Sequence, residues 1–138
     1  MFFNKKKKDG NDDNLVKIGA LLIHTAKIDE NYSQEEEEII KKTLLSLGAK
    51  QINLDDLITK AKQCENNANQ ILDFTREIKS LADNDKINIV KSLWSIIYSN
   101  KNADIYETNL MRRLSGLLYI DSKTMGNIKE EIKKESLS

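Results

Sequence analysis

The stretch Leu21-Leu22-Ile23-His24-Thr25-Ala26-Lys27-Ile28-Asp29-Glu30-Asn31-Tyr32-Ser33-Gln34-Glu35-Glu36 decides the fold. Its first half is apolar around most of a helical circumference, the pattern of a helix buried among other helices. The apolar positions start earlier, at Leu15, Val16 and Ile18, so the spacing predicts a helix over residues 14–28. The second half changes character. Ser33-Gln34-Glu35-Glu36 has the form of a capping box, in which a serine hydroxyl and a glutamate carboxylate satisfy backbone N–H groups that a helix start leaves open. A second helix therefore runs over residues 34–47, with Gly48 as its stop. A short acidic corner joins the two.

The same pattern returns later. Shifted by 71 positions, Leu22 falls on Leu93, Ile23 on Trp94 and Ala26 on Ile97. Asp29 falls on Asn100, Glu36 on Glu107, Ile40 on Met111, Lys41-Lys42 on Arg112-Arg113, and Leu47 on Leu118. Any two amphipathic helices share a period, but agreement at the polar corner is harder to obtain by chance. The chain thus carries two copies of an apolar helix, an acidic or amide-bearing loop and an amphipathic helix.

The remaining sequence also reads as helix. A third helix follows Asn53, with Leu54, Leu57, Ile58, Ala61 and Cys64 on one face, and Glu65-Asn66-Asn67 ends or frays it. A fourth covers residues 69–81. A fifth opens near Asp83 and Asp85 and is again apolar on most sides, through Trp94 and Ile97. A sixth starts after Asp104, with Glu107 at its third position, and a seventh after Asp121, with Met125, Ile128 and Ile132 on one face. No apolar–polar alternation of the strand kind is sustained. The expectation is an all-α single domain of about seven helices, with a pseudo-two-fold internal repeat and the first and fifth helices as its spine. Residues 1–12 read as a flexible basic tail and residues 13–138 as the helical domain.

Composition narrows the function classes. The 138 residues carry no net charge, so the global basic surface of a nucleic-acid binder is absent, although Lys41, Lys42, Arg112 and Arg113 could touch phosphate. One cysteine rules out an internal disulfide and a cysteine-based zinc site. The five glycines are scattered at 10, 19, 48, 116 and 126, so there is no phosphate-cradling loop. No nucleophile, histidine and carboxylate are spaced as a hydrolase triad. The sole histidine, His24, reads as a structural residue, Cys64 as an inert thiol and Trp94 as core. No run nears the ~20 apolar residues of a membrane span, and charge follows Phe2 and Phe3 instead of preceding them, the reverse of a secretory signal. A cytoplasmic location is expected. Membrane contact is confined to the tail, where Lys5, Lys6, Lys7 and Lys8 could meet anionic lipid.

The two repeated segments carry a family likeness. Residues 21–30 with Glu35-Glu36 resemble the first motif of the TerB-like tellurite-resistance family, in which an alanine, an aspartate and a glycine end a helix and a glutamate opens the next. Residues 93–100 with Asp104-Ile105-Tyr106-Glu107 and Leu110-Met111-Arg112-Arg113-Leu114 resemble the second. The likeness covers about residues 15–135 and is nearest the bacterial branch of TerB-like proteins. It implies a helical, non-enzymatic module for protein interaction or scaffolding, linked to stress or tellurite resistance, with a protein partner that the sequence does not name. It also implies a divalent-cation or partner site at the acidic loops. Carried over residue by residue, the metal candidates are Asp29, Glu36, Asn100 and Glu107, with Ca²⁺ or Mg²⁺ held weakly. The sequence departs from the pattern at Glu30 and at Asn100-Lys101, where the family has glycine after aspartate. The second loop has thereby lost a carboxylate and gained a lysine.

Two readings of the corner stand side by side. In one, Glu36 and Glu107 only cap helices, and Glu35, Glu36, Glu37 and Glu38 form a solvated first turn favoured by the helix dipole. In the other, the same carboxylates also take a cation or face a basic partner. The corner is too short for an EF-hand loop. The alternative function is a metal-dependent enzyme using the acidic corner, which would need a convergent carboxylate set beside a substrate cleft.

Overall fold

Helix follows helix from the first described residue to the last. The computed structural model describes the backbone of residues 2–28, 32–68, 71–99 and 105–137, and within these the side chains of residues 13–28, 32–68, 71–99 and 109–135. The elements are α1 (Phe2–Ala26), α2 (Gln34–Ser46), a 3-10 turn (Gln51–Asn53), α3 (Leu54–Asn67), α4 (Leu72–Ile78), α5 (Asp83–Ser99), α6 (Ile105–Leu117) and α7 (Ser122–Leu137). There is no strand among the described residues, and the architecture is an all-α single domain of seven helices.

Three boundaries differ from the sequence reading. The apolar spacing predicts that the first helix starts near residue 14, whereas α1 is helical from Phe2. Lysine is a good helix former and no proline interrupts the run, so the backbone of residues 2–12 continues the helix. The side chains of residues 1–12 lie outside the described ones. The fourth helix is shorter than residues 69–81. Its end tightens into three-residue bonds, Ser80 N–H to Glu77 O and Leu81 N–H to Ile78 O, and its expected first residues, 69 and 70, lie outside the described ones. The 3-10 turn has no apolar period to announce it: Gln51, Ile52 and Asn53 are all exposed.

The core gathers around α1 and α5. Ala20, Leu21, Leu22 and Ile23 are consecutive and all buried, as an all-round apolar helix requires. α1 packs on α3 and α4, α5 packs on α7, and α2 lies against both α1 and α5. Each fully buried leucine or isoleucine in this cluster contributes about 1.5–3 kcal/mol relative to exposure. Gly19 sets the distance between α1 and α3, since a Cβ there would come within 2.9 Å of the Ala61 Cβ. Between α2 and α5 the contact is polar: the Thr43 and Ser92 hydroxyls share a 2.6 Å hydrogen bond, and Asn88 Nδ2 donates to Ser46 Oγ at 2.8 Å.

The repeat is visible in the elements, and it is longer than the two motifs. The 71-residue shift places α2 on α6 at both ends. It also places α3 on α7, where Leu54, Leu57 and Ala61 match Met125, Ile128 and Ile132, all buried. In α1 and α5, Ile18, Leu22, Ile23, Thr25 and Ala26 match Ile89, Leu93, Trp94, Ile96 and Ile97, again all buried. The unit is therefore three helices, and α4 is the connection between the copies. Even the chain reversals agree. After α2, Gly48 N–H donates to Leu45 O and Ala49 N–H to Leu44 O. After α6, Tyr119 N–H donates to Gly116 O and Ile120 N–H to Ser115 O. Both are Schellman terminations, which place one residue at positive φ. That residue is Gly48 at φ +112° in the first copy and Tyr119 at φ +57° in the second.

Candidate functional site

The corner between α1 and α2 is built by the capping box the sequence predicts. Ser33 N–H donates to Glu36 Oε1 at 2.8 Å, and Glu36 N–H donates to Ser33 Oγ at 3.1 Å. Glu36 is fully buried, which the reading of Glu35 to Glu38 as one solvated turn does not anticipate. Its neighbour Glu37 turns toward α3. There it meets Lys62 Nζ at 3.1 Å and the Tyr32 hydroxyl at 3.3 Å, with Lys41 Nζ at 3.8 Å. Burial pushes the Glu37 carboxyl up, but Lys62, Lys41 and Tyr32 outweigh it, and the net position is below the usual carboxylate range. Burial, together with the charges of Glu37 and Glu36, raises the Tyr32 hydroxyl far above its ordinary value. It stays protonated and serves Glu37 as a donor.

A second charged set stands across the end of α3. Glu65 receives Lys27 Nζ at 2.7 Å on one oxygen, and His24 Nδ1 lies 3.3 Å from the other. Here too burial raises the carboxyl and the hydrogen bonds from Lys27 and His24 more than reverse it, so Glu65 lies below the usual range. His24 is thus a structural residue with a partner. Between the two sets runs a groove of about 610 Å³, with Ile23 among its lining residues and Lys27, Tyr32, Lys62 and Glu65 beside it. The Lys62 ammonium also lies 5.5 Å from the centroid of the Tyr32 ring.

Of the four metal candidates, only Glu36 has a described side chain. Asp29 and Asn100 lie outside the described residues, and Glu107 sits on α6 with its side chain outside them. Among the described residues, no three histidine, cysteine, aspartate or glutamate side chains gather as a ligand set. Cys64 is half-buried, more open than its place on the apolar face of the third helix implies. Trp94 is core as expected, stacked on Tyr98 with ring centroids 5.9 Å apart.

Sequence reasoning missed Tyr32, Glu37, Lys62 and Glu65 as a group. The pairing of Glu37 with Lys41 has the i,i+4 spacing of a helix surface pair and could be read from sequence. The pairings with Lys62 and of Lys27 with Glu65 depend on how α3 lies against the corner, and no local signal carries them. Among the described residues, no helix is long and apolar enough to cross a membrane.

Neither a curated protein nor a solved structure matches the chain. A family model does: that of tellurite resistance protein TerB matches residues 16–130, from within α1 to within α7. That span takes in most of both three-helix copies and the charged groove, and the chain belongs to the TerB family.

Proposed function

We propose that this domain is a non-enzymatic interaction module in tellurite resistance or a related stress response, and that it takes a protein partner at the groove between α1, α3 and the start of α2. The observation that carries this reading is the groove's make-up. The half-buried Tyr32 ring and two charge sets, Lys27–Glu65 and Lys62–Glu37, border the groove, and Ile23, only 1% exposed, closes it off from the core. An apolar centre inside a polar rim is the usual anatomy of a protein interface. The rim charges are paired across elements, Lys27 with Glu65 and Lys62 with Glu37.

A photo-crosslinking residue in place of Lys62, in cells of the native host, tests this. A discrete protein adduct at position 62, absent when the same residue replaces the exposed Asn127 on α7, is the expected result. No adduct at 62, or the same adducts at both positions, would overturn it. Turnover of tellurite by the purified chain would favour a metal-dependent enzyme instead.

A weak Ca²⁺ or Mg²⁺ site marked by Asp29, Glu36, Asn100 and Glu107 is the subordinate part of the proposal. Glu36 already holds the Ser33 N–H with one oxygen, which supports the capping role. Calorimetry decides: heat at millimolar cation that Asp29→Ala removes supports the site. No heat, or heat that Asp29→Ala leaves unchanged, removes it.

A further inference from the structure

The lysine run near the start of α1 has no part in the groove. Lys5, Lys6, Lys7 and Lys8 are the longest basic run in the chain, and Phe2 and Phe3 precede them. The first nine residues hold four lysines against one aspartate, in a chain with no net charge. Everything after them is therefore net acidic. A molecule divided in this way is drawn to an anionic surface by one end only.

The structure sets these residues along one axis. α1 is a single helix from Phe2 to Ala26. Its first buried residue among those described is Leu15. At a rise of about 1.5 Å per residue, Lys5 to Lys8 lie about 10–15 Å beyond Leu15, and Phe2 about 20 Å beyond it. The same helix reaches the groove at Ile23, about 25 Å from the lysines along the axis.

Helical backbone also decides how far the acidic residues dilute the basic ones. In a coil, Asp9, Asp12 and Asp13 could fold back over the lysines. In a helix, Asp12 and Asp13 stay displaced toward the bundle, Asp12 by about 6–10 Å of rise from the lysines. That is near the Debye length of about 8 Å at physiological ionic strength, so their effect is largely screened. Asp9 remains and offsets one lysine.

From its end inward, α1 therefore reads apolar, basic, acidic, then bundle. A lipid surface presents the matching order: acyl boundary, anionic headgroups, water. Single-stranded nucleic acid would instead stack its bases on aromatic side chains spread along a basic groove. Here both phenylalanines lie at one end, outside the lysines. Among the described residues no helix is long and apolar enough to cross a membrane, and a contact of this kind is peripheral and reversible.

We propose that α1 docks end-on to an anionic lipid surface, with Phe2 and Phe3 entering the acyl boundary and Lys5, Lys6, Lys7 and Lys8 meeting the lipid phosphates. The site shares no residue with the groove assigned above to a protein partner, so either assignment can fail alone.

The test is co-sedimentation of the full chain with vesicles, one set of phosphatidylcholine alone and one with phosphatidylglycerol mixed in, at about 0.1 M salt. The expected result is pelleting with the phosphatidylglycerol vesicles only, lost as salt rises to about 1 M. Each lysine changed to glutamine weakens binding by about fivefold, and changing all four reduces pelleting to the level of phosphatidylcholine alone. Phe2→Ser/Phe3→Ser also weakens it, with the salt dependence kept. The Tm of these variants stays that of the wild-type chain, because the changes lie outside the core. Arg112→Gln/Arg113→Gln, which removes the basic pair of α6, leaves pelleting unchanged. No pelleting with phosphatidylglycerol, or equal pelleting on phosphatidylcholine alone, overturns the proposal. So does pelleting that survives either the four lysine changes or the two phenylalanine changes. A lysine-dependent gel shift of single-stranded RNA without vesicle binding overturns it in favour of a nucleic-acid ligand.

Discussion

At the scale of single residues, backbone geometry and paired charge make different demands. Gly48 sits at φ +112°, with nothing within 4 Å of where a Cβ would lie, so space does not select glycine there and conformation does. Gly48→Ala lowers the unfolding free energy by about 1–2 kcal/mol, measured by urea denaturation. Glu37 and Glu65 offer a test by pH. Both carboxyls are lowered in the folded chain by their lysine partners, so they stabilise it above the ordinary carboxylate range. That contribution is lost as pH falls through their depressed folded values. The urea midpoint should therefore drop between about pH 5 and pH 2, and Glu65→Gln should flatten part of that drop while lowering the midpoint at neutral pH. An identical pH profile for the variant would show that the Lys27 and His24 contacts carry no stability.

At the scale of elements, α1 packs more extensively on α3 than on any other helix among the described residues. That contact rests on Gly19 facing Ala61, and any larger residue must push the two helices apart. Gly19→Val destabilises by about 1–3 kcal/mol through overpacking. Gly116, where an added Cβ meets nothing within 4 Å, is the control: Gly116→Ala on α6 is neutral or stabilising, because alanine favours helix by about 1 kcal/mol over glycine. Thermal unfolding of both variants checks the contrast. The start of α2 works by another principle. Its capping box was readable from Ser33 and Glu36 because both halves of a cap lie within four residues. The pairing of Glu37 with Lys62 was not, because it spans from α2 to α3.

At the scale of the whole molecule, the chain is one three-helix unit used twice, with α4 as the connection. The apolar periods of α1 and α5 and the corner residues Asp29 and Asn100 made two-thirds of that unit legible from sequence. The match of α3 to α7 emerged only from burial, because Leu54, Leu57 and Ala61 share little chemistry with Met125, Ile128 and Ile132 beyond being apolar. Of the candidate metal residues, the structure locates the Glu36 side chain, and it does so as a cap. The groove proposed as a partner surface came instead from contacts between elements, the Tyr32–Glu37–Lys62 and Lys27–Glu65 sets that border it. We propose that this TerB domain acts through that groove. The most direct measurement is tellurite tolerance in a host strain lacking the gene, complemented with the wild-type chain or with Tyr32→Ala/Lys62→Glu, both checked for equal expression and Tm. Tolerance with the wild-type chain and none with the folded groove variant is the expected result. Equal tolerance with both, or with neither, would contradict it.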